Sequence, residues 1–83
     1  MKKLLQEKNY FKSPDIALCS ALCCLGYEIE AINKQNPARA IFSIKKDEQL
    51  DELIQLYFTH QLKVEPLSFF NALREIKTRV YNA

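Results

Sequence analysis

The chain has 83 residues, of which 48% are hydrophobic and 27% charged, and its net charge is +2. This composition excludes a disordered chain, and the length allows one small domain. A net charge this small does not mark a nucleic-acid-binding protein. We therefore predict a single domain over residues 1–83, with a frayed or disordered start at residues 1–9.

The cysteines and the apolar runs indicate where the protein works. The start of the chain is basic but continues with only Leu4 and Leu5 as an apolar pair, which is too short for a signal-peptide core. The longest apolar-rich run, residues 16–25, is about half of what spans a bilayer. Three cysteines, two of them adjacent, argue against the disulfide framework of a secreted protein. The sequence predicts a cytoplasmic protein without a membrane partner.

The first predicted element is a helix over residues 14–25. Ser13 is a suitable N-cap, and Pro14 suits the first helical position because its missing N–H would have no partner there. Gly26 is suited to the left-handed conformation that ends many helices. Because the segment has no charge between Asp15 and Glu28, we expect a central helix that is buried on most sides.

An antiparallel β-hairpin is predicted over residues 27–34 and 39–45, with the turn at Asn36 and Pro37. The alternation places one set of side chains on a common face: Tyr27, Ile29 and Ala31 from the first strand, and Ala40, Phe42 and Ile44 from the second.

Two further helices are predicted over residues 48–59 and 66–80. Asp47 is the expected N-cap of the former, and Pro66 begins the latter. The segment QLKVEP between them is predicted to be short and extended, and a third strand fragment is one interpretation of it. The predicted fold class is α+β, in the order αββαα, with the hairpin packed against the helices.

The three cysteines allow three interpretations. A zinc site needs four converging ligands, and the only other obvious ligand is His60, which we interpret as structural at the end of the second helix. A catalytic thiol needs a lowered pKa, whereas Cys23 and Cys24 lie at the C-terminal end of their helix, where the dipole disfavours a thiolate. The favoured interpretation is that Cys19, Cys23 and Cys24 are small apolar residues of a core helix, with any uncovered part forming a dimer interface. No metal or cofactor is expected.

The last helix carries a second stripe beside its core stripe of Phe69, Leu73, Ile76 and Val80. Phe70, Arg74, Lys77 and Tyr81 follow one another at helical spacing and form this basic and aromatic stripe. Cations on phosphates and rings stacked on bases would suit nucleic acid. The interpretation that the sequence favours is that the rings widen the core contact while the cations extend over it.

Two blocks of the sequence resemble a family of small bacterial and phage-associated proteins that is classed only as a domain of unknown function. The opening block has Tyr10, Phe11, Ser13 and Asp15, followed by an apolar helix that ends at Gly26. The closing block is a helix with Leu73, Arg74, Ile76, Lys77, Arg79, Val80 and Tyr81. The resemblance covers about residues 10–81 and implies no known activity and no catalytic residues. The association of that family with phages and other mobile elements favours nucleic-acid or host-factor binding slightly over other roles.

The function predicted from these observations is a non-enzymatic protein-interaction module, an inhibitor or accessory factor that is expected to be a homodimer. The alternative is a weak nucleic-acid-binding module that uses Phe70, Arg74, Lys77 and Tyr81. The small net charge places a protein partner ahead of nucleic acid.

Overall fold

The computed structural model describes residues 9–36 and 38–82, which form three strands and three helices in the order βαββαα. The elements are β1 (Tyr10–Ser13), α1 (Ile16–Cys24), β2 (Ile29–Asn33), β3 (Ile41–Lys45), α2 (Leu50–Phe58) and α3 (Pro66–Asn82). The α+β class is confirmed. The predicted order αββαα is wrong because it lacks β1. The expected frayed start, apart from Asn9, and the predicted turn residue Pro37 lie outside the described residues.

The strands form one antiparallel sheet in the order β1-β3-β2, so β3 is the central strand. The predicted hairpin is present as β2 and β3. Because β1 and β2 are both antiparallel to β3, they run parallel to each other, and α1 connects them across the sheet. The third strand is therefore β1. The segment that was interpreted as a strand fragment, residues 61–65, contains neither helix nor strand.

A β-bulge in β2 shifts the predicted alternation by one residue. Ile29 lies opposite Ile44 but Ala31 lies opposite Ser43, so Glu30 is an extra residue on β2. Beyond the bulge, Ile32 lies opposite Phe42 and shares the core face with Ile29. The prediction that Ala31 belongs to this face is wrong.

Helix α1 begins two residues later than predicted, and its N-cap is Asp15. The N–H of Leu18 donates to Oδ1 of Asp15 at 3.0 Å. Ser13, the predicted cap, lies in β1 opposite Phe42, and its Oγ accepts a hydrogen bond from the N–H of Asp15 at 3.0 Å. Ser13 therefore ends the strand and fixes the turn that leads into the helix.

The C-terminal end of α1 follows the prediction. Gly26 has a φ of 102°, in the left-handed region. Its N–H donates to the carbonyl of Cys23, and the N–H of Tyr27 donates to that of Leu22, both at 3.1 Å. These two bonds define a Schellman motif with glycine at its left-handed position.

The core lies between the sheet and the helices, which all contribute to it from the same side. Its buried members are Leu18, Cys19 and Leu22 from α1, Ile29, Phe42 and Ile44 from the sheet, Leu50 from α2, and Ile76 from α3. The central part of α1, residues 18–22, is buried, as expected for the central helix. Its last turn is less covered, since Cys23 and Cys24 are half-buried and Leu25 is exposed.

Helix α2 begins at Leu50, and Asp47 does not cap it as predicted. Oδ1 of Asp47 instead accepts hydrogen bonds from the N–H of Gln49 at 3.0 Å and from the hydroxyl of Tyr27 at 2.6 Å. These bonds stabilise the turn before the helix and connect it to the end of α1. The N-cap position is held by Gln49, whose side chain makes no capping bond.

Residues 61–65 connect the end of α2 to the start of α3. The hydroxyl of Tyr57, at the end of α2, lies 3.5 Å from Oδ2 of Asp15 at the start of α1. Glu65, at the other end of the segment, interacts electrostatically with Cys24 at the end of α1. Helix α3 then begins at Pro66, as predicted, and runs antiparallel to α1 because Val80 lies beside Ile16.

Candidate functional site: a groove and an exposed stripe on helix α3

Helix α3 separates an apolar face from an exposed one. Its core stripe agrees with the prediction at Ile76, which is buried in the core, and at Val80, which packs against it, whereas Phe69 and Leu73 are only half-buried. The four residues of the predicted basic and aromatic stripe are exposed: Phe70, Arg74, Lys77 and Tyr81. Phe70 is 52% exposed and Tyr81 is 78% exposed, so neither ring adds much to the core.

The structure divides this stripe into two parts. The guanidinium carbon of Arg74 lies 5.6 Å from the centroid of the Phe70 ring, one helical turn away, which is the geometry of a cation–π contact. Lys77 and Tyr81 lie further along the helix and line a groove that Phe70 and Arg74 do not reach. Arg74 therefore has an aromatic partner within the chain.

The groove, which we call the α3 groove, has a volume of about 420 Å³. One wall is the last part of α3, and the other is the loop before β3. Its lining comprises Pro14, Ile16, Ala38, Arg39, Ala40, Phe42, Lys77, Val80 and Tyr81. Ile16 and Phe42 also pack in the core, so they form an apolar floor.

Hydrogen bonds hold the loop wall in place. The side chain of Asn36 accepts a bond from the N–H of Ala38 at 2.9 Å, and its backbone carbonyl accepts one from the N–H of Arg39 at 3.0 Å. Across the groove, Nζ of Lys34 donates to the carbonyl of Val80 at 2.8 Å. These bonds place Arg39 opposite the end of α3. Arg39 could not be identified from the sequence, because no local pattern indicates that this loop lies beside the end of α3, which is far away in the chain.

The electrostatic character of the α3 groove is positive. Arg39 and Lys77 are the charged residues among those that line it, and no acidic residue belongs to the lining within the described part of the chain. An apolar floor between two cations suits a ligand that combines apolar surface with negative charge.

The cysteines lie elsewhere, on α1. Burial, followed by the charges of Cys23 and Asp15, raises the pKa of Cys19 to about 12. Burial is also the main cause that raises the pKa values of Cys23 and Cys24. For Cys23, Arg79 acts in the opposite direction, but it is outweighed. All three are free thiols that stay protonated near neutral pH, which is the opposite of what a nucleophile or a metal ligand needs.

A second groove, of about 340 Å³, lies where α3 meets the end of α1 and the start of β2. Its charges are mixed, with Glu28 and Glu75 beside Arg79, whose Nη2 donates to the carbonyl of Ile29 at 3.4 Å. Over residues 9–36 and 38–82, no group of three or more His, Cys, Asp or Glu side chains is placed to hold a metal ion.

The residues that carry the family resemblance have two kinds of role in the structure. Phe11 packs against the core from β1, Ser13 and Asp15 form the turn and cap of α1, and Gly26 ends that helix. In the closing block, Ile76 and Val80 belong to the core or pack against it, and Leu73 is half-buried. Arg74, Lys77 and Tyr81 are exposed.

Comparison with known proteins places these observations in a family. The sequence profile described as Domain of unknown function (DUF5659) matches residues 8–82. No curated protein and no solved structure matches the chain significantly. Among the described residues, no helix is both long enough and apolar enough to cross a membrane. The bacterial and phage origin that the resemblance implies stays a prediction. Because the match covers almost the whole chain, the protein belongs to the DUF5659 family of domains of unknown function.

Proposed function

We propose that this chain is a non-enzymatic protein-interaction module that binds its partner with the α3 groove, including Lys77 and Tyr81, the two residues of the exposed stripe that line it. The observation that supports the proposal is the apolar floor of Ile16 and Phe42 between the cations of Arg39 and Lys77, with the exposed ring of Tyr81 at its side. Aromatic and arginine side chains around a desolvated apolar centre are typical of residues that dominate protein interfaces.

The non-enzymatic part of the proposal is supported by the cysteines. Each thiol has a raised pKa, so none is activated as a nucleophile. The biological setting we propose is the cytoplasm, with a role as an inhibitor or accessory factor linked to a phage or mobile element. Only the family resemblance supports that setting.

The test is site-specific photo-crosslinking in a lysate of the native host. A variant with p-benzoylphenylalanine in place of Tyr81 puts the photoreactive ring in the α3 groove. The matched control carries the same group in place of Phe58, an aromatic residue of α2 that is 60% exposed and lies outside the groove. We expect a nuclease-resistant protein adduct from position 81 and not from position 58. Equal labelling from both positions, or adducts that nuclease removes, would contradict the proposal.

A weak nucleic-acid-binding function is the second candidate, and the exposed stripe supports it. Phe70 with Arg74 and Tyr81 with Lys77 are two pairs of a ring and a cation on one exposed face. Binding of single-stranded DNA would weaken steeply with salt, and each lost phosphate contact would lower the log–log slope by about 0.7. In that case the double variant Arg74→Ala and Lys77→Ala would lose binding without a large change in melting temperature.

Self-association is a third part of the proposal. The apolar surface that the sequence predicts for α1 is mostly covered within the chain, because residues 18–22 are buried. Exposed apolar side chains remain at the first turns of α3, where Leu67 is 62% exposed. We propose that a second copy of the chain covers this end of α3.

A further inference from the structure

We propose that the α3 groove recognises a segment of the partner in which apolar side chains are flanked by carboxylates. This inference rests on the protein-interaction function proposed above and names the chemistry of the bound segment. The observations that support it are the apolar floor of the groove and the cations on its two walls.

The floor requires an apolar ligand group. Ile16, which is half-buried, and Phe42, which is buried, line the bottom of the groove, and the half-buried Ala40 and Val80 extend the apolar surface on its sides. The volume of about 420 Å³ lies within the range of about 300–1,000 Å³ that is typical of ligand pockets. An inserted leucine or phenylalanine side chain would remove this surface from water, which is the main favourable contribution to such a contact.

The walls require negative charge on both sides of that apolar group. Arg39 comes from the loop before β3, and Lys77 comes from α3, so the two cations approach the floor from opposite elements. An arginine guanidinium binds a carboxylate with two parallel hydrogen bonds, whereas a lysine acts as a compact charge. A segment with acidic residues on one side only would leave one of the cations without a partner.

Neighbouring cations are already engaged within the chain. Lys34 donates to the carbonyl of Val80, Arg79 donates to that of Ile29, and Arg74 lies over the ring of Phe70. Among the described residues, no hydrogen bond or ion pair involves the side chains of Arg39 and Lys77. Two available cations fit a short acidic peptide better than the phosphate track of a nucleic acid, which needs a row of them.

The experiment uses the full chain and a short fluorescein-labelled peptide with the central sequence Glu-Glu-Leu-Phe-Glu-Glu. Two matched peptides replace either all glutamates with glutamine or the Leu-Phe pair with two serines. Fluorescence anisotropy at about 0.02 M and about 0.15 M salt compares their affinities. We expect the acidic apolar peptide to bind, and each altered peptide to bind about tenfold more weakly or less.

Variants of the chain locate the binding. Arg39→Ala and Lys77→Ala should each weaken binding of the acidic peptide by roughly three- to fivefold at the lower salt concentration. Lys63→Ala is the matched control, because it removes one charge from an exposed residue outside the groove. Melting temperatures check that the variants are folded. Equal binding of the glutamine peptide, or equal effects of Lys63→Ala and the two groove variants, would overturn the inference.

Three further outcomes distinguish a failure of this inference from a failure of the proposed function. A protein adduct at position 81 without any peptide binding would retain the function and overturn the inference. Peptide binding that depends on Arg39 and Lys77, without a protein adduct, would support the groove chemistry and contradict the function. Tight binding of a single-stranded oligonucleotide with no binding of the peptides would overturn the inference in favour of the nucleic-acid alternative.

Discussion

At the scale of single residues, two helices end with the same motif but with different residues at its left-handed position. Gly26 holds this position after α1 with a φ of 102°, and His60 holds it after α2 with a φ of 65°. The second motif is complete, since Gln61 donates to the carbonyl of Leu56 at 2.8 Å and His60 to that of Tyr57 at 3.1 Å. His60 therefore has a structural role, because its left-handed backbone conformation ends α2. The structural interpretation of His60 from the sequence did not include this left-handed backbone conformation.

Because the left-handed position is held by glycine after α1 and by histidine after α2, we expect two substitutions to change the free energy of unfolding in opposite directions. Gly26→Ala should lower the free energy of unfolding by about 1 kcal/mol, because a β-carbon disfavours the left-handed region. Apart from the two neighbouring residues in the chain, no residue has an atom within 4 Å of a β-carbon at that position, so the effect comes from the local backbone conformation. His60→Gly should raise the free energy of unfolding by ~0.5 kcal/mol, since relief of strain is partly offset by chain entropy. Urea denaturation measures both, and a shift of the same sign in both variants would contradict this account.

The raised pKa of Cys19 predicts a loss of stability in alkaline solution. The thiol titrates at 9.0 ordinarily and at about 12 in the folded chain, so its contribution is complete below pH 9 and is lost as the pH rises toward 12. By pH 10 the loss should be about 1 kcal/mol. We expect urea denaturation of wild type between pH 8 and pH 10 to show this decline, and Cys19→Ala to show a smaller one. Identical slopes would mean that the thiol ionises as easily in the folded chain as in the unfolded one.

At the scale of elements, local signals predicted the helices well and the sheet only in part. The stop at Gly26 and the start at Pro66 depend on backbone preferences of single residues, and both were predicted correctly. Strand β1 has only four residues, too few for an alternation to be recognised, and it is defined by its pairing with β3. That pairing joins residues 29 to 35 positions apart, and no local pattern encodes it.

Because of the bulge in β2, Ile32 rather than Ala31 is expected to contribute to the core, and substitutions at the two positions test this. Ile32 packs against the core, while Ala31 lies on the other face opposite Ser43. Ile32→Ala should therefore lower the free energy of unfolding by ~1–3 kcal/mol, because it removes apolar packing from a half-buried position. Ala31→Ser should change it by less than about 0.5 kcal/mol. Urea denaturation at neutral pH measures both, and the reverse order of effects would favour the regular alternation.

Only those residues of the candidate site that lie on one helix could be predicted from the sequence. The spacing of Lys77 and Tyr81 places them on the same face of α3, which the structure confirms. The sequence favoured a core role for the rings, because it does not show that the helices cover only one side of α3. Arg39 and the floor of Ile16 and Phe42 come from three other parts of the chain. Only the topology brings them together.

At the scale of the whole molecule, α3 is longer than the helix against which it packs. Helix α3 has 17 residues and α1 has nine. At 1.5 Å per residue, the difference amounts to about 12 Å of helix. Ile16 lies beside Val80 and Cys23 beside Ala72, so the excess is at the start of α3. Leu67 and Phe70 are exposed on these first turns, and Leu25 at the end of α1 is 40% exposed.

This uncovered end of α3 carries the prediction of a homodimer. Exposed apolar side chains on a helix that extends past its neighbours favour association, and a second copy offers the same surface in a two-fold arrangement. The contact is compatible with partner binding, because Phe70 and Tyr81 are eleven residues or about 16 Å apart along the helix. Light scattering on the purified protein should give about twice the chain mass of 9.7 kDa.

Substitutions at the exposed apolar residues Leu67 and Phe70 test whether the start of α3 forms the dimer contact. Leu67→Ser and Phe70→Ser should each shift the molecule toward the monomer, since they remove apolar surface from the proposed contact. Phe58→Ser is the matched control, because Phe58 is also an exposed aromatic residue but lies at the end of α2. A dimer that all three variants retain would place the contact elsewhere on the chain. A wild-type monomer at every concentration would leave Leu67 and Phe70 available to the same partner that the α3 groove binds.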